Sequence, residues 1–311
     1  MNIHTQIILA LAVVLSFGAF AAEEKGDLKW GVTLGVASLD YESERPRETY
    51  DSFENATYTP LVFGIDVGRG KHSVSYKITS AGDEDYNYRS TSTYTDSALL
   101  RVEDNKRDHE ESTITYQYQL EGGWGLGIQY NDVENSYTGT GKADYEHYDW
   151  TYGDVTENAL DGFGFFGTFV RIIPDTKWVF AAKLGVALTD YKGTYNANQV
   201  ISTTDSYYDF IPILNGSTIQ ATETYSGDAS SAIIGLTMAY VVSPKSVVYF
   251  NFDTRVDEFD EIDVIANPRT GTGYWAGGPD GGDDIAEEIE TPAGLEETTW
   301  KFAVEWRYAL N

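Results

Sequence analysis

Residues 298–311 read Thr-Thr-Trp-Lys-Phe-Ala-Val-Glu-Trp-Arg-Tyr-Ala-Leu-Asn, and no other stretch constrains this 311-residue chain as tightly. Trp300, Phe302, Val304, Trp306, Tyr308 and Leu310 fall on one parity; Lys301, Ala303, Glu305 and Arg307 fall on the other. Successive side chains of a strand point to opposite faces. The stretch therefore predicts a strand with one aromatic, wholly apolar face and one small or charged face.

The same rule recurs nine more times. The apolar parity carries Leu28 to Val36, then Leu61, Phe63, Ile65 and Val67, then Val74, Tyr76 and Ile78. It continues with Ile114 to Leu120, Trp124 to Tyr130, and Phe163, Phe165 and Phe169. Trp178 to Leu188, Ile234 to Val242, and Val248, Phe250 and Phe252 complete it before the last strand. The connections also alternate. Gly68 to Lys71, Glu121-Gly122-Gly123, Pro174 to Lys177 and Ser243-Pro244-Lys245 are tight turns, whereas 40–57, 81–111, 132–159, 190–229 and 257–297 read as long polar stretches. A sandwich has no reason to put every long connection at one end. A barrel crossing a membrane does: its apolar face meets lipid, its other face lines the lumen, short turns face the periplasm and long loops face outside. An even strand count puts both chain ends on the periplasmic side.

The beginning of the chain agrees. Ile7 to Phe17 form an apolar core too short to span a bilayer, and Ala19-Phe20-Ala21 supplies a small-x-small cleavage pattern. The leader carries no Lys or Arg before that core. The expected organisation is a cleaved signal at 1–21 and one barrel domain at 22–311. No later apolar run approaches the ~20 residues of a membrane helix, so a membrane crossing has to be made by strands. With no cysteine there is no disulfide, thiol nucleophile or cysteine-linked lipid. A formal charge of −28 speaks against nucleic acid as a partner, because phosphate contacts need Lys and Arg. The 23 Tyr and 7 Trp suit aromatic girdles at two membrane interfaces.

On these patterns the chain resembles bacterial outer-membrane β-barrels in general, over essentially all of the mature sequence. The last strand also resembles that class's assembly signal, with Lys301-Phe302-Ala303-Val304-Glu305-Trp306-Arg307-Tyr308 placing Ala303 where the class has Gly and Ala309-Leu310-Asn311 after the final aromatic. The resemblance implies an all-β fold: a single antiparallel transmembrane β-barrel of about ten strands in the outer membrane of a Gram-negative bacterium. It also implies outer-membrane lipid, lipopolysaccharide and the barrel-assembly machinery as partners. No cofactor is expected.

Four constellations could carry chemistry. Lys29, Asp66, Lys77, Lys183, Asp253, Lys301, Glu305 and Arg307 have the parity of the lumen, among small residues such as Gly31, Gly127, Gly185 and Gly235. Buried charges must be paired, so this set reads either as a polar core filling a narrow barrel or as the lining of a small pore. Residues 257–297 hold thirteen acids and one base, Arg269, with Asp257, Glu258, Asp260, Glu261 and Asp263 at the start and Asp280, Asp283 and Asp284 among glycines. That stretch reads as a solvated acidic loop or one that attracts cations, divalent ions included, although it lacks an EF-hand's spacing. Tyr137, Tyr145, Tyr148, Trp150 and Tyr152, with Tyr191, Tyr195, Tyr207, Tyr208 and Phe210, are either binding anchors or wall packing.

The fourth is a resemblance to omptin-type surface proteases, ten-stranded barrels whose water is activated by Asp-x-Asp in the second outer loop and Asp-x-His in the fourth. Asp83-Glu84-Asp85 matches the first pair, but 190–229 contains no histidine, and His147 has Tyr145 where the aspartate belongs. His109 has acidic neighbours and no matching pair. The sequence therefore points away from an enzyme, toward a narrow, cation-preferring passive channel. The alternative is a closed barrel that displays loops for sugars or proteins, with an omptin-like hydrolase a distant third.

Overall fold

Strands can cross lipid only in a sheet without edges, because every backbone N–H and C=O must find its partner inside the protein. The structure, a computed structural model, meets that condition by closing the sheet on itself. It describes residues 27–43, 55–91, 100–144, 148–203, 217–266, 270–272, 287–290 and 296–310. Among these, thirteen strands follow in order: β1 (Lys29–Ser43), β2 (Asn55–Tyr58), β3 (Leu61–Arg69), β4 (His72–Thr91), β5 (Leu100–Gln119), β6 (Trp124–Asp144), β7 (Tyr148–Ile172), β8 (Trp178–Thr203), β9 (Ser217–Ser243), β10 (Ser246–Ala266), β11 (Thr270–Thr272), β12 (Glu287–Glu290) and β13 (Glu296–Ala309).

Ten of them are staves, each antiparallel to its sequence neighbours. β1 closes the ring: its Val36 stands opposite Leu61 of β3 on one side and Val304 of β13 on the other. β2 continues the stave of β3 beyond Pro60 in unbroken register on β1, since Leu39 faces Tyr58 as Val36 faces Leu61. β11 and β12 are short additions against β9 and β10.

The turn end is built as the sequence indicates. Gly70 and Gly122 adopt φ of 60° and 72°, the left-handed region that favours glycine. The outward face is the apolar parity, with Leu184, Leu188 and Phe165 at 68%, 73% and 63% exposure. Aromatic rings form belts at both borders of this band. Trp124 meets Phe169 and Trp178 meets Tyr240 near the turns, while Tyr130 meets Phe163 and Phe252 meets Trp300 toward the loops.

The loop end corrects the sequence reading. Most of what reads as long polar loops is strand. β4 runs on to Thr91, β5 begins at Leu100, β7 starts at Tyr148, and β9 is 27 residues long. A tilted membrane strand needs ~9–11 residues, so β4 to β10 rise far above the apolar band. β1, β3 and β13, at 15, 9 and 14 residues, make a lower side. The physical reason for the misreading is that above lipid nothing requires an apolar outer face. Without it the period-2 signal fades into a run of polar residues.

Candidate functional site in the barrel lumen

Seven of the eight charges assigned to the lumen by parity do line it, and most of them are bound to one another. Arg307 holds Asp66 with two parallel bonds, Nε to Oδ1 at 2.8 Å and Nη2 to Oδ2 at 2.5 Å. The pair lies over Gly31, where an added Cβ would come 2.6 Å from both partners. Lys77 Nζ sits 2.9 Å from each oxygen of Glu305, which is 4% exposed. Lys301 Nζ reaches Glu111 Oε2 at 2.5 Å and Thr79 Oγ1 at 3.0 Å. That bond joins β13 to β5 across three intervening staves, close to the diameter of a ten-stave ring. Lys29 is the exception: it is exposed at the turn-end rim.

The small inward residues that suggested an open pore have another use. Phe166 points inward between Gly127 and Gly185, which face it in register from β6 and β8. A Cβ on Gly127 would run into the ring, and one on Gly185 would lie 2.7 Å from Phe166 Cβ. Lys183 Nζ sits 4.7 Å above that ring and bonds Gln129 Oε1 at 2.5 Å. The glycines make room for large neighbours rather than for water.

Higher in the lumen, Arg255 bonds Asp257 Oδ1 at 2.8 Å through Nε, and Ser231 Oγ bonds the same oxygen. Asp257 is 2% exposed. It therefore belongs to the lumen core and not to a solvated acidic loop. Glu258, Asp260 and Asp263 are exposed, but on strand β10. The side chain of Glu261, and Asp280, Asp283 and Asp284 entirely, lie outside the described residues, as do Tyr145, His147, Tyr207, Tyr208 and Phe210. No group of three or more His, Asp or Glu among the described residues is arranged to hold a metal ion. Asp83, Glu84 and Asp85 belong to β4, beside a bulge between Ala81 and Glu84.

Above the ion pairs the interior turns apolar. Leu39, Tyr41, Tyr58, Ala81 and Tyr137 form one cluster; Leu160, Ala229, Phe259, Ile262 and Val264 form another, against Val133, Tyr191 and Tyr225. Tyr137 and Tyr195 are therefore buried in the wall and do not stand as surface anchors. His109, within the 81–111 stretch that reads as a polar loop, is 3% exposed. Its Nδ1 bonds Asn135 Oδ1 at 2.7 Å, and its Nε2 is buried without a partner. Burial pushes the imidazole pKa below its usual value. Beneath it, between Lys77, Glu111, Gln129, Lys183, Asp253 and Lys301, lies a cavity of about 260 Å³.

Glu111, His109, Arg255 and Phe166 were not singled out as lumen residues from the sequence. The first two and Arg255 lie in or beside stretches read as loops. Phe166 carries a signal only once register is known, as an aromatic with a glycine opposite on each side.

No protein-family model and no curated protein matches the sequence. Solved structures match it in overall course. The outer membrane protease OmpT from Escherichia coli superposes with a TM-score of 0.44 at 11% identity, covering 93% of this chain and 100% of that one. The translocator domain of autotransporter NalP from Neisseria meningitidis gives 0.40 at 9%, covering 97% of each chain. The Pseudomonas putida toluene transporter TodX gives 0.36 at 8%, covering 94% and 91%. At scores of this size the likeness carries no argument about what this chain does. The outer-membrane-type barrel rests on its own strand pairing.

Proposed function

We propose that this chain is an integral outer-membrane barrel, with both ends periplasmic, whose lumen is closed at rest and whose work is done by its raised outer walls as a binding surface rather than by catalysis. The observation that carries the reading is the set of ion pairs spanning the lumen. Lys301–Glu111 and Lys77–Glu305 reach across the lumen from β13 to β5 and β4, Arg307–Asp66 bridges β13 to β3 over the one stave between them, and Phe166 is buried in the same interior. Partial burial makes such pairs costly to separate.

A second reading is a narrow, cation-preferring passive channel. The polar 260 Å³ cavity favours it, because it shows that the lumen is not filled throughout. The outward acids Glu258, Asp260 and Asp263 would then raise the local cation concentration at the mouth.

Conductance of the purified, refolded protein in a planar bilayer separates the two. The closed reading expects a silent wild type and current after Lys301→Met with Glu111→Leu. Steady wild-type current preferring K⁺ over Cl⁻ at low salt, and losing that preference at ~1 M where the Debye length is ~3 Å, would replace it with the channel.

A further inference from the structure

Among the described lumen charges, Asp253 stands apart from the ion pairs. Asp253 stands in a cross-strand row between Lys183 and Lys301, separated from Lys183 by Gly235 on β9. Both lysines turn away from it: Lys183 bonds Gln129, and Lys301 bonds Glu111 and Thr79. Asp253 has no hydrogen bond or ion pair to a described residue, although Lys301, Lys183 and Lys77 are the cations that act on it. One ammonium and one carboxylate thus line the same 260 Å³ cavity without a direct ionic partner. At the loop end of that cavity, the Asn135 carbonyl takes the Nδ1 proton of His109, so the buried Nε2 is an acceptor that lacks a donor.

The charge balance selects the guest. Lys77 with Glu305, Lys301 with Glu111 and Arg255 with Asp257 cancel in pairs, and Lys183 and Asp253 cancel at a distance. A guest with net charge would leave an uncompensated charge in a poorly solvated interior. A guest that is dipolar but neutral would not. Val133 and Ile233 add an apolar wall to the same cavity.

We propose that this cavity is a binding site for a small aliphatic zwitterion of the α-amino-acid type. The guest's carboxylate meets Lys183, its ammonium meets Asp253, and its short side chain lies against Val133 and Ile233. The proposal goes beyond the reading of the barrel as a closed display scaffold, since binding is measured at rest whether or not the lumen conducts.

The test is equilibrium dialysis of radiolabelled L-alanine against the refolded protein in detergent micelles, with acetate and methylammonium as half-ligands. Saturable uptake of one alanine per barrel is expected, with each half-ligand at least ~10-fold weaker, a difference of about 1.4 kcal/mol. Asp253→Asn and Lys183→Met should each weaken alanine binding at least ~10-fold. The double variant, which removes both charges together, should keep the heat-modifiable gel mobility of a folded barrel and bind nothing. Absence of saturable binding by the wild type would overturn the proposal without reference to any variant. So would acetate binding as tightly as alanine, which would mark an anion site, or unchanged binding in Asp253→Asn.

Discussion

The two halves of this barrel are inside-out with respect to each other. In the turn-end half, Phe163, Phe165, Leu184 and Leu188 face outward, and Asp66, Lys77, Glu305 and Arg307 face inward. In the raised half, Asp190, Asn196 and Asp260 face outward, and Leu160, Phe259, Ile262 and Val264 face inward. The same strands serve both arrangements. β8 carries Leu184 and Asn196 on one parity, and β10 carries Phe252 and Asp260 on one parity. Alternation is therefore a property of the strand, while the chemistry on each parity is set by what lies outside it. Lipid demands apolar side chains and leaves the interior to charges that pair. Water accepts polar side chains, and the raised half is then held together as a soluble protein is, by burying apolar surface inside.

The largest effect that would test this contrast is in the raised interior. Phe259→Ala should cost about 3–5 kcal/mol, whereas Asp260→Ala, one residue along and facing out, should stay within about 0.5 kcal/mol. Urea unfolding of the refolded protein measures both. Equal costs would mean that the raised half has no core of its own.

Lys301→Met leaves the partly buried Glu111 without its cation and should cost about 3 kcal/mol by the same measurement. Adding Glu111→Leu should recover most of that loss, because the stranded charge goes with it. A double variant as unstable as the single one would mean that the loss comes from the missing bond itself and not from a stranded carboxylate.

The outer surface supplies a smaller contrast on one strand. Leu184→Arg, in the lipid band, should cost about 2–4 kcal/mol in a bilayer. Asn196→Arg, on the same parity of β8 but above the band, should change stability by no more than about 0.5 kcal/mol. Similar costs at both positions would move the membrane border.

The smallest effect is that of His109. Burial lowers its pKa, so the folded protein holds the ring neutral where the unfolded chain, near 6.5, takes up a proton. Stability should accordingly fall as pH drops through about 6.5. Glu111 and Lys301, which act on the ring with opposite sign, are present in both wild type and variant. His109→Gln should flatten the fall. An unchanged pH profile would place the imidazole in water.

The barrel is legible in the order of residues alone. Parity in ten stretches marks which side chains meet lipid, and four tight turns between them mark one end. Both are local properties of the chain, legible because a bilayer imposes a single rule on every outward position. The same parity placed Asp66, Lys77, Lys183, Asp253, Lys301, Glu305 and Arg307 inside. What those charges do depends on how the staves are set against one another. Lys301 and Glu111 are 190 residues apart, and Arg307 and Asp66 are 241 apart. Their meeting depends on the stagger between staves, which no short stretch of sequence encodes. The height of the walls was hidden for a different reason. Above the lipid the outward rule ends, so the raised strands look like loops until their hydrogen-bonded neighbours are known. His109 and Asp257 were misplaced with them, because a polar residue in a polar run shows its burial only when the opposite wall is in place.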